Sequence, residues 1–266
     1  MDEVRIAGLF VYPVKGCRGL ALDAAEVGAR GLAGDREWMV VGSDGGFLSQ
    51  RTQPRMALIE VALADGGLVV GAPGMAELAV PRAGGATSTR PVTIWRDTVE
   101  AVSGGPEVAA WFSAFLGLDC DLVRMPAATR RRVDPARARP GDLVGFADAY
   151  PFLLVSQGSL DELNRRLVTP LPMDRFRPNL VVDGCAPHAE DAWRTLVAGG
   201  VTFRVAKPCA RCVVTATDQR TGARGDEPLG TLATYRLRDG KILFGQNLVH
   251  DGRGTLRAGD RCDVTA

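Results

Sequence analysis

Residues 201–215 read Val-Thr-Phe-Arg-Val-Ala-Lys-Pro-Cys-Ala-Arg-Cys-Val-Val-Thr. The run from Val201 to Lys207 predicts a strand and Val213 to Thr217 predicts another, which leaves Pro208-Cys209-Ala210-Arg211-Cys212 in the turn between them. In a thioredoxin-like unit the C-x2-C pair would open a helix after a strand, and a β-branched run follows here instead. The stretch therefore points to a β-rich chain with two thiols and two cations, Lys207 and Arg211, at one sheet corner. Cations beside a thiol favour the thiolate, the form that attacks or ligates, so both cysteines are candidates for nucleophile or soft-metal ligand.

Working outward, short strands separated by Gly, Pro and Asp signals are predicted at Arg5–Val14, Ala24–Val27, Glu37–Val41, Met56–Leu63, Gly67–Val70 and Val92–Val102. Such spacing suggests a small β-barrel or sandwich. From Pro106 to Leu116 the apolar residues Val108, Trp111, Phe112 and Phe115 share one helical face. The basic, proline-containing run Arg130–Pro140 reads as a surface crossing between domains. Beyond it, Ser159-Leu160-Asp161-Glu162 has the form of a capping box and predicts a helix over Ser159–Leu167. Strands follow at Asn179–Val182, Ile242–Leu248 and Arg261–Val264, with a short helix near Leu229–Tyr235. The fold class is α+β, rich in β.

The 266 residues include 32 basic and 31 acidic side chains, a net charge of +1. That balance gives no sequence-wide field for gripping a nucleic-acid polymer or an anionic membrane. No apolar run approaches the roughly 18 residues of a spanning helix, and residues 1–15 lack the zones of a secretion signal, which predicts a cytoplasmic protein. Six cysteines in a chain this long do not make a disulfide scaffold. Only Lys15, Lys207 and Lys241 are lysines, against a background of arginines. The two histidines, and the lack of G-x-S-x-G, Walker A or G-x-G-x-x-G elements, argue against hydrolase, phosphoryl-transfer and nicotinamide chemistry.

Other candidates sit at strand ends, where binding groups are mounted on a rigid frame. Lys15 followed by Gly16 offers an ammonium and a freely approached backbone to a phosphate, or is a solvated turn. Arg36 precedes Trp38. Arg177 can fork onto a phosphate or carboxylate, and Asn179 presents one donor and one acceptor to a heterocycle edge. Asp148, beside Ala149 and Tyr150, is a candidate for proton delivery. A zinc site built from Cys185, His188, Cys209 and Cys212 also has ordinary ligand spacing.

Taken in order, several stretches resemble the molybdenum cofactor sulfurase C-terminal (MOSC) superfamily, in the branch that carries an N-terminal MOSC β-barrel domain. They are Tyr-Pro-Val-Lys-Gly-Cys at 12–17, Gly-Asp-Arg-Glu-Trp-Met-Val-Val at 34–41, Phe-Leu-Ser-Gln-Arg at 47–51, Trp111–Gly117, Ser159–Asn164, Phe-Arg-Pro-Asn at 176–179, Pro-Cys-Ala-Arg-Cys at 208–212 and Asp218–Gly222. The resemblance is strongest to amidoxime-reducing and hydroxylaminopurine-detoxifying members. It implies an N-terminal domain over 1–127 and a barrel-like MOSC domain over 128–266. It implies a molybdenum–molybdopterin cofactor whose metal is ligated by Cys212, and a pterin and phosphate held by Lys15, Gly16, Arg36, Tyr150, Arg177, Asn179, Ala210, Arg211 and Asn247. The implied reaction is reduction of small N-hydroxylated compounds, N–OH to N–H, with the oxygen passed to molybdenum and electrons supplied by an external protein. A cofactor carrier or sulfur-transfer protein is the alternative. The family often has serine where this chain has Gly16, and amidoxime-reducing members have an aromatic residue where this chain has Asn247.

Overall fold

The structure, a computed structural model, describes residues 3–82 and 89–266. Its strands form four sheets among the described residues. The largest runs, edge to edge, through Asp263–Thr265, Thr195–Ala198, Val201–Ala210, Lys241–Asp251, Phe152–Ser156, Leu180–Asp183, Arg5–Val11 and Leu20–Leu22, with Leu237–Arg238 paired to one end of Lys241–Asp251. All these pairings are antiparallel except that of Phe152–Ser156 with Leu180–Asp183. A second sheet orders Thr89–Ile94, Asp97–Ser103, Cys120–Arg124, Trp38–Gly42 and Val14–Lys15. Two three-stranded sheets complete the set. One joins Gly254–Arg257 to Ala24–Gly28 and Gly31–Leu32, and the other joins Glu60–Ala64, Gly67–Gly71 and Leu78–Pro81.

Among the described residues three α-helices lie at or near the three expected places. Helix α1, Pro106–Leu116, opens with Pro at its first position and closes on Gly117 at φ +73°, whose amide donates to Ser113 O at 2.8 Å. Its face of Val108, Trp111, Phe112 and Phe115 is buried as predicted. Helix α2 covers Gln157–Asn164 and α3 covers Leu229–Arg236. The capping expectation is corrected by one turn: Ser156, not Ser159, is the N-cap, accepting from the Ser159 amide at 3.1 Å. Ser159 is withdrawn from that role because its hydroxyl donates to the fully buried Glu190 at 2.7 Å and accepts from the His188 amide at 2.8 Å. Ser156 Oγ donates to the same carboxylate at 2.9 Å.

Two strand expectations change in ways that matter for the site. Residues 213–216 form a single 3₁₀ turn, Val213–Ala216, because the Thr215 amide and hydroxyl both donate to the Cys212 carbonyl, at 3.0 and 2.9 Å. The preceding strand runs on to Ala210, past the first cysteine. The single strand expected over 92–102 is a hairpin that turns at Trp95-Arg96, with Ile94 opposite Asp97.

The run 130–140 is a loop, but Arg131 within it is buried and acts as a pin. Its guanidinium donates to the carbonyls of Gly145, Ala147 and Asp148 at 2.8, 2.5 and 2.9 Å and pairs with Asp97 at 2.8 Å. The proposed division near residue 127 falls between Cys120–Arg124 and Phe152–Ser156, while strands Arg5–Val11 and Leu20–Leu22 lie in the large sheet of the second half. Among the described residues no helix is long and apolar enough to cross a membrane.

Ser156→Ala removes both the α2 cap and one donor to a buried carboxylate, so it is expected to destabilise the chain by about 1–3 kcal/mol. Denaturant midpoints measure this directly. A midpoint equal to that of the parent chain would show that the Ser156–Glu190 bond carries no stability.

Candidate functional site

The strand Arg5–Val11 ends at Tyr12, where the chain leaves the large sheet, and Val14–Lys15 enters the second sheet beside Trp38–Gly42. At this crossing a pocket of about 200 Å³ opens. The ten residues that the resemblance assigns to the cofactor all line it, namely Lys15, Gly16, Arg36, Tyr150, Arg177, Asn179, Ala210, Arg211, Cys212 and Asn247, and so does Asp148.

Positive charge dominates the pocket floor. Lys15 is 7% exposed and its ammonium pairs with Asp148 Oδ1. Burial pulls the Lys15 ammonium down to about 8, with Asp148 opposing that shift. Arg36 grips Asp35 through both carboxylate oxygens, at 3.0 and 2.7 Å, and donates to Asn179 Oδ1 at 3.1 Å. Burial lowers the Arg177 guanidinium to about 10; one of its nitrogens donates to Gln219 Oε1 at 3.2 Å. Arg36 and Arg177 both hold left-handed backbone, at φ 45° and 56°, a strained setting that non-glycine residues adopt mainly where the surroundings impose it.

The cysteine corner is pinned by Arg211. Its amide donates to Ile242 O at 2.7 Å, and its side chain donates to Phe176 O at 2.6 Å and lies 3.1 Å from Cys209 Sγ. Asn247 Nδ2 reaches the carbonyls of Lys207 and Pro208, each at 3.4 Å, and the Lys207 ammonium lies 5.3 Å from the centre of the Tyr150 ring. Gly16 sits at φ +86°, where a Cβ would come within 2.9 Å of Met56 Cε, so a serine at this position would be strained.

Two expectations about roles meet a different environment. Asn179 does not offer a free amide: Oδ1 accepts from Arg36 and from the Leu153 amide at 3.2 Å, and Nδ2 donates to Phe10 O at 3.1 Å. It holds strands and Arg36 in register. Burial would raise the Asp148 carboxyl, but Lys15 and Arg51 outweigh it and hold the group well below the usual carboxylate range. An ionised carboxylate accepts hydrogen bonds, and it can deliver a proton only after taking one from elsewhere.

The zinc arrangement is not assembled: among the described residues no group of three or more His, Cys, Asp or Glu side chains is placed to hold a metal ion. His188 faces the Tyr235 and Phe244 rings, and Cys185 is packed against the core of the large sheet. The main residue that residue-by-residue reading missed is Arg51. It donates to Asp148 Oδ2 at 3.0 Å, and that carboxylate raises the guanidinium against the effect of burial. Its signal was present in Phe-Leu-Ser-Gln-Arg at 47–51.

These residues fit a group with anionic and polar edges. Arg177 Nη2, Arg211 Nε and the Tyr150 hydroxyl are buried without a hydrogen-bond partner. Each such orphan costs about 1–3 kcal/mol, which a bound ligand with acceptors would recover. Cys212 adds a soft sulfur donor on the same wall.

Comparison with known proteins gives two family matches. The MOSC N-terminal beta barrel domain matches residues 3–119 and the MOSC domain matches residues 142–263. The chain is 36% identical to mitochondrial amidoxime-reducing component 1 of Mus musculus, covering 96% of this chain and 80% of that one. It is 34% identical to the Homo sapiens protein of the same name, covering 96% and 81%. It is 33% identical to the molybdenum cofactor sulfurase of Oryza sativa subsp. japonica, covering 92% of this chain but 32% of that protein.

The Lys15 ammonium is the charged form below about 8 and is lost above it. Sulfate, whose own charge is constant in this range, is therefore expected to bind the ligand-free protein more weakly as pH rises from about 7 to about 9. Lys15→Met should bind weakly at both ends. Titration calorimetry that showed the same pH-independent affinity in both proteins would remove Lys15 from the anion site.

Proposed function

The chain belongs to the MOSC family, in the branch that joins an N-terminal β-barrel domain to a MOSC domain, and on that footing we propose that it is a molybdenum-cofactor-dependent reductase of small N-hydroxylated compounds. Electrons come from a separate protein, the setting is the cytoplasm, and the service to the cell is detoxification. The observation that carries this reading is the buried cationic pocket that shares a wall with the Cys212 thiol.

In this proposal Cys212 ligates the metal, and Lys15, Arg36 and Arg177 hold the pterin and its phosphate. Tyr150 and Arg177 Nη2 bond the ligand's acceptors, which supplies the partners they lack. Arg211, engaged with Phe176 O and Cys209, fixes the turn so that Cys212 presents its sulfur at a constant angle. Such outer contacts orient a metal ligand and tune it. When bound, the molybdenum–pterin group supplies two-electron reduction of the N–O bond. The overall change takes two electrons and two protons per N–OH group and releases N–H and water.

Asp148 serves here as a positioning residue. It keeps Lys15 and Arg51 in place, and Arg51 in turn lines the pocket together with Cys212. Protons enter from water at the open side of the pocket. The family names of the relatives make the amidoxime group the natural first substrate to test.

Cys212→Ser is expected to lose both molybdenum and turnover, whereas Cys209→Ser keeps its metal. Elemental analysis and reduction of an amidoxime with a chemical donor check both. NADH alone should give no turnover, because one C-x2-C cannot serve as molybdenum ligand and also supply the roughly four thiolates of an iron–sulfur cluster. Full molybdenum loading with no reduction of amidoximes, N-hydroxylated bases or hydroxamic acids would instead make the chain a cofactor carrier. Equal molybdenum in the parent chain and Cys212→Ser would rule out the ligand assignment.

A further inference from the structure

Next to the cysteine pocket lies a larger open cavity of about 850 Å³, and the two share Asp148 and Ala149. It is lined by the hairpin turn Trp95-Arg96 and by the segment 130–135. Trp95 is the telling residue. Its indole is 47% exposed, yet its backbone is at φ 55°, a conformation suited to glycine and uncommon for a bulky side chain. An outlier of this kind points from geometry to function.

The ring is also held from behind. The Arg51 guanidinium lies over it at 4.6 Å, and Phe47 is tilted against it at 5.0 Å. Arg51 bonds Asp148 and lines the cysteine pocket together with Cys212, so it links the exposed indole to the pocket of the proposed metal ligand. In the segment 130–135 Arg131 is buried and paired with Asp97, and Arg96 reaches Asp134 at 3.9 Å. Arg130 and Arg132 are exposed and have no carboxylate partner among the described ion pairs. The cavity thus offers an aromatic face and two cations without a carboxylate partner among the described ion pairs.

We propose that this cavity is the substrate vestibule, in which Trp95 stacks the planar body of an N-hydroxylated arene or heterocycle and Arg130 and Arg132 receive an anionic substituent such as a carboxylate or phosphate. The proposal rests on the reductase reading above for the identity of the reacting group. A flat ring gains from offset stacking on the indole, and a guanidinium forks onto either anion. The N–OH group then points past Arg51 toward Cys212.

The test compares benzamidoxime with 4-carboxybenzamidoxime on the molybdenum-loaded full chain, driven by a reduced viologen. The expected result is a KM about tenfold lower for the carboxylated compound, and loss of that preference in Arg130→Gln/Arg132→Gln. Trp95→Gly, which relaxes the turn and so should fold at least as well as the parent, is expected to raise KM for both compounds about tenfold with kcat little changed, and Trp95→Phe to restore most of it. Calorimetric binding of 4-carboxybenzamidoxime to the oxidised protein supplies a readout independent of turnover. If Trp95→Gly leaves both KM values and the binding constant unchanged, the vestibule is overturned, including the case in which only the rate with a protein electron donor falls. Binding that depends on Trp95 without any turnover would uphold the vestibule and overturn the reductase reading.

Discussion

The molecule is organised around the cost of holding like charges together away from water. Lys15, Arg36, Arg177 and Arg211 converge on one pocket, and the carboxylates set among them are Asp35 and Asp148. An unpaired buried charge is strongly destabilising, so each cation must be held by something. Tyr12 does part of this: Arg36 and Arg177 lie over its ring at 4.4 and 4.2 Å, so one π system attracts both guanidinium groups. Burial pushes the Tyr12 hydroxyl well above its ordinary range despite those arginines, and it remains a neutral donor to Pro178 O at 3.1 Å. Asp35 accepts from the Tyr12 amide at 2.8 Å while gripping Arg36. The residual positive charge that these contacts leave is what makes the pocket attractive to an anion.

The sheets serve that arrangement. Within eleven residues the chain passes from the large sheet, through Tyr12, to Lys15 in the second sheet, and the pocket opens where it changes sheets. The far side is supplied by Phe176–Asn179 at the start of one strand and by the end of Val201–Ala210. Gln50 and Gln219 close a reciprocal amide pair at 2.9 and 3.0 Å, tying the two sequence halves beneath Gly16 and Arg177. Asp148 is fixed from its own backbone by Arg131, so the loop bearing it does not depend on the ion pairs alone.

The site was more legible in the sequence than the paths of the strands. Lys15-Gly16, Gly34-Asp35-Arg36, Arg177-Pro178-Asn179 and the cysteine turn are local signals, because binding groups at strand ends bring their glycines and prolines with them. The helices were legible for the same reason, through Pro106, Gly117 and the apolar face between. Some readings failed on a partner far away in sequence and others on a turn that its composition did not announce. Ser159 has the form of a cap, but only the buried Glu190, distant in sequence, draws it off. Val213–Thr217 has strand composition, but Thr215 bonds back to Cys212 and closes a turn. Trp95 gave no turn signal, since the residue there breaks the local rule. Arg131 was read as one more exposed arginine, and its burial follows from carbonyls fourteen to seventeen positions on.

The placing of Arg5–Val11 between Leu180–Asp183 and Leu20–Leu22 has a consequence for biosynthesis. Leu9 is opposite Leu180, about 170 residues later in the chain, and the ribosome needs on the order of 10–30 s to make that interval. Throughout that time an apolar strand waits with one edge unpaired. The Ile6 amide and carbonyl and the Val4 carbonyl close still later, on Asp260, Gly259 and Cys262. Pairing of such long sequence separation is intrinsically slow, so this strand is enclosed long after it leaves the ribosome. Until Phe176–Asn179 and the end of Val201–Ala210 have been made, the nascent chain lacks the far side of its cationic pocket, and an anionic ligand meets only half of its site.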